Sequence, residues 1–387
     1  MAVSTRVRNR SRSATERGKA FIKKIHHNLY LIVHEKPLGF CETRVDQACN
    51  STPRPGEVNL VTSPVRPSTD TGDPSSVAAD KASAELQQHI NAERIPLTRQ
   101  SHPWSPGTVV FMLAIHVGGV VALLPQFRSW QGMAVLAVLY WVTVIGVTLG
   151  LHRLVAHRSF KAPRWLERLL VIMGSLSAQG GPIEWVGLHR HHHKYSDQPN
   201  DHHDAVRGLW WSHSEWMLHK IPARFAGDLF ADPLYRWLDH WFLLLQLPLA
   251  ALLYGIGEAT GVPGGGPGLL LWGIPLRLMV VYHVTWLVNS ATHAFGYRNF
   301  KTPDLSYNCW WVALLTFGEG WHNNHHAFPQ SARHGLRWFE VDITWQHIRL
   351  LRALGWAKQV RIASHNLNGW GHRRRQRQGH NPVGVAD

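Results

Sequence analysis

Four apolar stretches constrain this chain before anything else does. Residues 107–125, 132–151, 241–256 and 268–289 are long, greasy and nearly free of charge. A helix needs about 20 mostly apolar residues to cross the hydrocarbon core of a bilayer. Three of the stretches qualify, and 241–256 does so only when extended through Leu238 and Gly257. Two buried hairpins in a water-soluble protein would show a similar pattern, but runs this poor in charge favour the bilayer. Charged residues make up 17 % of the chain, against about 25 % in ordinary soluble proteins.

The charge that is present is segregated. The loop 126–131 holds one basic residue, Arg128, and the turn 257–267 holds none, whereas Arg and Lys recur from Arg153 to Arg236. The positive-inside bias then puts both termini and the middle segment on the cytoplasmic or stromal side. The expectation is an all-α integral membrane protein, with four transmembrane helices in two hairpins and a helical cytosolic cap over residues 105–360. Residues 1–104 read as a disordered basic and polar extension, opening on Arg6, Arg8, Arg10, Arg12, Arg17, Lys19, Lys23 and Lys24. That Arg/Ser-rich, acid-poor start has the composition of an organelle transit peptide. A basic arm at a membrane, or an over-long start, fits equally well. Residues 361–387 form a basic tail with Arg373, Arg374, Arg375 and Arg377, suited to anionic lipid. The net charge of +15 is concentrated in these places, and no nucleic-acid-binding motif accompanies it. Three cysteines without paired spacing exclude a disulfide scaffold and a cysteine-based zinc module.

Twenty-seven histidines remain to be explained. Three clusters stand out: His152-Arg-Leu-Val-Ala-His157, His189-Arg-His-His192-His193 and His322-Asn-Asn-His325-His326. In the last two, positions i, i+3 and i+4 share one face of a helix. His152 and His157 are five apart, about 140° on an ideal helix, so that helix end should unwind or the pair should straddle a site. All three clusters fall on the same side of the membrane, as does the pair Asn289 and His293 leaving the fourth stretch. Imidazoles without thiolates suit zinc, iron, copper or nickel, and nine of them exceed what one ion needs. A carboxylate-bridged bundle would require two Glu-x-x-His motifs, and Glu319-Gly-Trp-His322 is the one match. Glu319 is therefore expected behind the ligands, orienting His322 or a bound water. Asp197, Asp201 and Asp204 are expected in similar supporting places. His116 and His283 lie inside apolar stretches and read as helix-packing residues. His202 and His203 read as supporting or surface groups.

These boxes, with NSATH ahead of the third and the stretch CWWVALLTFGEGWHNNHH, closely resemble the membrane fatty acid desaturases of the Δ9 branch. HRHHHKYSDQPNDHHD and NSATHAFGYRN are most similar to the cyanobacterial acyl-lipid members. The resemblance spans about 105–360 and implies two iron ions as cofactors with O2 as co-substrate. It implies metal ligation, and catalysis through the metals, by His152, His157, His189, His192, His193, His293, His322, His325 and His326, with Asn289 acting through a water. His191 lies off the ligand pattern. The implied reaction places a cis double bond in a saturated C16 or C18 chain of a membrane glycerolipid. An acyl-CoA substrate or a sister hydroxylation is the alternative. A histidine-rich metal transporter would instead place its ionisable groups near the bilayer midplane. No heme motif or iron–sulfur cysteine set appears, so electrons come from a separate donor: reduced ferredoxin by resemblance, a b-type cytochrome otherwise. The implied location is a cyanobacterial thylakoid or plasma membrane, or a plastid membrane if the start is a transit peptide.

Overall fold

The computed structural model describes residues 102–363 and 383–386. Most of the N-terminal extension, nearly all of the basic tail and His26, His27 and His380 lie outside the described residues. Within them the chain is helical apart from a short antiparallel pair, β1 (Val360–Ala363) with β2 (Val383–Ala386). The helices are α1 (Pro106–Ala122), α2 (Trp130–Ile145), α3 (Arg164–Ser175), α4 (Pro182–Tyr195), α5 (Leu209–His213) and α6 (Pro233–Trp241). After them come α7 (Gln246–Thr260), α8 (Gly265–Leu271), α9 (Arg277–Asn289), α10 (Trp310–Leu315), α11 (His322–Ala327) and α12 (Ile343–Ala353).

Three continuous helical stretches are long and apolar enough to cross a membrane: Trp130–Ala156, Pro233–Thr260 and Gly265–His293. The first apolar run forms α1, a 17-residue helix shorter than these. The local chemistry explains the boundaries. Pro106 opens α1, where a missing N–H costs nothing. Ser129 caps α2 by accepting from the Gly132 amide. Gly261, at φ 60°, ends α7 in the left-handed conformation that glycine tolerates.

α2 does not stop at Ile145. It continues as an 11-residue π-helix, Gly146–Ala156, buried along its whole length. α3 packs antiparallel on this segment at unusually short range. A Cβ added at Gly146 would lie 2.1 Å from the Gly174 nitrogen, and one at Gly150 would lie 2.8 Å from the Leu170 oxygen. Small residues permit that approach, as they do between helices in bilayers. The main apolar core forms around the segment, with Leu149, Leu151, Leu166, Leu170, Ile183 and Leu238 among its members.

Polar side chains fasten the apolar helices to one another. Arg277, fully buried near the start of α9, donates to the carbonyls of Gly273 and Leu176 and to Gln246 Oε1. His116 of α1 meets His283 of α9 at 3.0 Å, and His283 meets His213 of α5 at 3.1 Å. Those contacts put both histidines in helix packing and tie His213 to the same row.

Candidate metal centre

The cluster HRLVAH sits at the end of the π-helix, and the π geometry resolves its spacing. With i→i+5 bonding, residues five apart come nearly into register; the His157 amide donates to the His152 carbonyl at 3.1 Å. The two rings then lie 4.8 Å apart, centroid to centroid. The helix end stays wound, in a wider ladder, and both imidazoles face the same place.

α4 and α11 supply the other boxes, and each divides its histidines between two groups. His152, His157, His189, His193 and His325 form one, and His192, His293, His322 and His326 the other; within each group the ring nitrogens lie within 4.8 Å of one another. Helical rotation accounts for the division. Residues i and i+4 are about 40° apart around the axis and i+3 falls on the other side. His189 and His193 therefore stay together while His192 turns away, and His322 and His326 stay together while His325 turns away. The groups adjoin, with the rings of His193 and His326 at 4.7 Å.

Carboxylates hold the far side of these rings. Asp197 Oδ2 lies 2.9 Å from His293 Nδ1, Asp201 Oδ2 2.9 Å from His192 Nδ1, and Asp304 Oδ2 2.8 Å from His326 Nδ1. Glu319 Oε2 lies 2.7 Å from His152 Nδ1. Glu319 was expected to orient His322 or a bound water; the ring it meets is that of His152, because the π-helix end brings that ring beside the 316–321 turn. Asp204 was expected in a similar supporting place, but it caps the turn 205–207 by accepting from the Val206 amide. Asn289 ends α9, half-buried, four residues ahead of His293. His191 turns out of both groups and bonds the Asn200 carbonyl. His202 and His203 are buried beside Asp201, and the ring of His203 is 4.3 Å from that of His192.

Several supporting residues carried no sequence signal. Asp304 lies 22 positions before His326, with no motif spacing between them. Arg153, fully buried, bonds Glu319 and Asp342, and His334 Nδ1 lies 3.2 Å from Glu319 Oε2. The two asparagines inside the third box anchor α11. Asn323 accepts from the amides of Asn299 and Phe300, and Asn324 donates to the His334 carbonyl and Glu340. For these two alone the sequence offered a signal, their place between the histidines of the third box.

Whether this donor set fits metal ions can be read from its protons. A carboxylate on Nδ1 fixes the proton there and leaves the Nε2 lone pair facing inward. Yet Nε2 atoms meet one another: His157 and His189 at 2.7 Å, His193 and His325 at 2.8 Å, and His152 and His325, His189 and His193, and His293 and His322 at 3.1 Å each. Nε2 of His192 and of His326 is buried with no hydrogen-bond partner. Converging lone pairs of this kind call for cations, and an all-imidazole set suits transition metals. The residues present fit two such ions.

The electrostatics agree. Burial, reinforced by neighbouring imidazoles, holds His157, His189, His193, His322 and His325 well below the ordinary histidine range. Burial also pushes His326 down to about 4, against the pull of Asp304. These rings are neutral at physiological pH, which is the ligating form. His192 moves up, because Asp201, Asp197 and Asp304 outweigh its burial. Burial opposes ionisation of Glu319, but Arg153, His152 and His334 overcome it and keep the carboxylate charged.

Comparison with known proteins now decides the class. Residues 128–359 match the sequence profile of a family described as fatty acid desaturase. The chain belongs to that family. It is 50 % identical over 260 residues, 66 % of this chain and 93 % of the relative, to the sn-1 stearoyl-lipid 9-desaturase of Anabaena variabilis. It is 45 % identical over 262 residues, 65 % of this chain and 88 % of the relative, to the sn-2 palmitoyl-lipid 9-desaturase of Nostoc sp. (strain 36). An acyl-CoA C20 Delta5-desaturase of Anemone leveillei is 41 % identical over 264 residues, 66 % of this chain and 81 % of the relative. This desaturase is thus an oxidoreductase with several membrane-crossing helices and histidine groups able to bind metal. It also carries an apolar cavity between α2 and α9, lined by Val144, Val147, Val281, Val284 and Val288, with Thr148, Thr285, Thr316 and Glu319 completing the wall. Glu319 joins that cavity to His152.

Proposed function

We propose that this protein is an acyl-lipid Δ9 desaturase, placing a cis double bond in a saturated C16 or C18 chain of a membrane glycerolipid. The observation that carries the reading is the pair of convergent imidazole groups beside an apolar cavity, in a chain half identical to a stearoyl-lipid 9-desaturase. Iron is the metal that suits the chemistry: a methylene has no acidic proton and no leaving group, and bound iron supplies an oxidant from O2 that side chains cannot. His152, His157, His189, His193 and His325 would hold one ion. His192, His293, His322 and His326 would hold the other, with Asn289 acting through a water. Asp197, Asp201, Asp304 and Glu319 keep the Nδ1 protons in place so that Nε2 stays available. The valines of the cavity would line part of the chain's path and keep water from it. Overall, –CH2–CH2–, O2, two electrons and two protons give cis –CH=CH– and two waters.

The electrons come from a separate donor, reduced ferredoxin, with a b-type cytochrome as the alternative. α1 completes four spans in two hairpins under a cytosolic cap. The catalytic domain runs over 105–360, in a cyanobacterial thylakoid or plasma membrane, or in a plastid membrane if the first residues act as a transit peptide. An acyl-CoA substrate is the second reading, favoured by the acyl-CoA relative. The test is the fatty-acid profile, by lipid class, of cells lacking monounsaturated acids after expression of this chain, with His325→Ala beside it. A Δ9 monoene in intact glycerolipids, absent with His325→Ala, is expected. Monoene appearing first in the acyl-CoA pool would select the second reading. No monoene from iron-loaded, membrane-inserted protein supplied with reduced donor would overturn both.

A further inference from the structure

The outer side of α4 carries a surface that the chemistry above does not use. α4 turns His189, His192 and His193 toward the metal centre, and Gly187, Arg190, His191 and Lys194 lie around its other side. The segment 224–230 crosses there: a Cβ added at Gly187 would sit 2.2 Å from the Arg224 carbonyl oxygen. That segment exposes two aromatic rings, Phe225 at 53 % and Phe230 at 42 %, edge to face at 6.1 Å. Charged side chains lie on the same side of α4. Arg158 and Arg190 share the carboxylate of Asp228, with Arg190 Nη1 at 2.6 Å, and the charges of Lys194 and Arg224 both act on the His191 ring. Arg190 also donates to the carbonyls of Val155 and Ala156 at 3.1 Å, immediately ahead of His157.

The result is an exposed aromatic pair beside Asp228, which Arg158 and Arg190 share, with Lys194 and Arg224 on the same outer side of α4, about one helix diameter, roughly 10 Å, from the histidine groups. An apolar centre with a charged rim is interface anatomy, and redox encounters use small patches of this sort. We infer that this face of α4 docks an acidic one-electron carrier protein. The inference rests on the desaturase reading, which requires two electrons from outside for each double bond. Each docking oxidises one carrier by one electron and reduces the metal centre by one, and two dockings complete the balance given above. The cations steer the encounter, and the backbone bonded by Arg190 leads straight to a histidine of the five-membered group.

The test is stopped-flow reduction of the iron-loaded, full-length protein by reduced plant-type ferredoxin. For the wild type, the second-order rate constant is expected to fall at least about tenfold as salt rises from low to a few hundred millimolar. K194E/R224E is expected to be at least about tenfold slower at low salt, with the salt dependence flattened. Lys194→Gln with Arg224→Gln should give an intermediate loss, and Phe225→Ser should slow the reaction at every salt concentration. Arg128→Glu, on the link between α1 and α2 at the opposite end of the helix from His152, is the control and is expected to match the wild type. Rates for K194E/R224E equal to those of Arg128→Glu would overturn the docking face, as would a wild-type rate indifferent to salt. Monoene formation measured on the same preparations keeps the two ideas apart. A wild type that makes no monoene fails as a desaturase; one that makes it at rates untouched by K194E/R224E fails only in its docking face.

Discussion

Every metal-facing imidazole has a second nitrogen, and what that nitrogen touches decides where the ring points. Glu319 shows this best, because it holds His152 while Arg153 and His334 hold it. Glu319→Gln removes the charge and leaves Arg153 buried without that partner. Iron content and desaturation are expected to fall by about 10- to 100-fold, read by metal analysis and by monoene yield at equal protein level. Glu184 offers a separate prediction. Burial, and then Asp239, push it up to about 7, above its value in an unfolded chain. Its contribution to stability is thus full below about pH 4.5 and is lost as pH rises through 7. The melting temperature of the wild type should drop between pH 5.5 and 8 by more than that of Glu184→Gln, the difference corresponding to at most about 3 kcal/mol. At this scale the sequence was legible wherever the residues were close in the chain. The spacing of the boxes pointed to eight histidines, His293 came from the NSATH stretch ahead of the third, and Asp201 lies near His192 in the sequence. Glu319 was recognised as a supporting residue for His322 or a bound water, whereas the ring it meets, His152, is 167 positions away, and Asp304, 22 positions before His326, stood in no motif spacing.

At the level of elements, the π-helix does the positioning. Spacing alone showed that His152 and His157 could not share a face of an α-helix; it could not show that the ladder widens rather than breaks. The reason is tertiary. α3 presses on the segment through Gly146, Gly150 and Gly174, and the backbone adopts the form that this contact allows. Gly146→Ala places a methyl group against the backbone of α3. A loss of at least about 1–3 kcal/mol is expected, seen as a lower melting temperature, together with reduced iron binding because His152 and His157 move with the segment. Gly255→Ala, whose Cβ would meet nothing within 4 Å, should leave iron binding unchanged and should not lower the melting temperature.

Across the whole molecule, the apolar runs were enough to place the long helices, because bilayer length acts on sequence directly. What they could not place is the packing of α3 and α4 against the end of α2, which depends on contacts between distant segments. Stripping the metal with a chelator should lower the melting temperature, and iron at about 100 times its dissociation constant should restore about 2.7 kcal/mol; differential scanning fluorimetry of the same preparation reads both. A chain beginning at residue 98 keeps His102 and Pro103, whose carbonyls accept from His219 and Lys220, and should still make monoene in cells. One further consequence comes from the way α4 and α11 each serve both histidine groups. Filling one group holds in place the same two helices that must present the other, so the second ion enters a cradle already shaped. Loading should then be cooperative, and a cell short of iron would hold full and empty enzyme side by side with few half-built molecules between them.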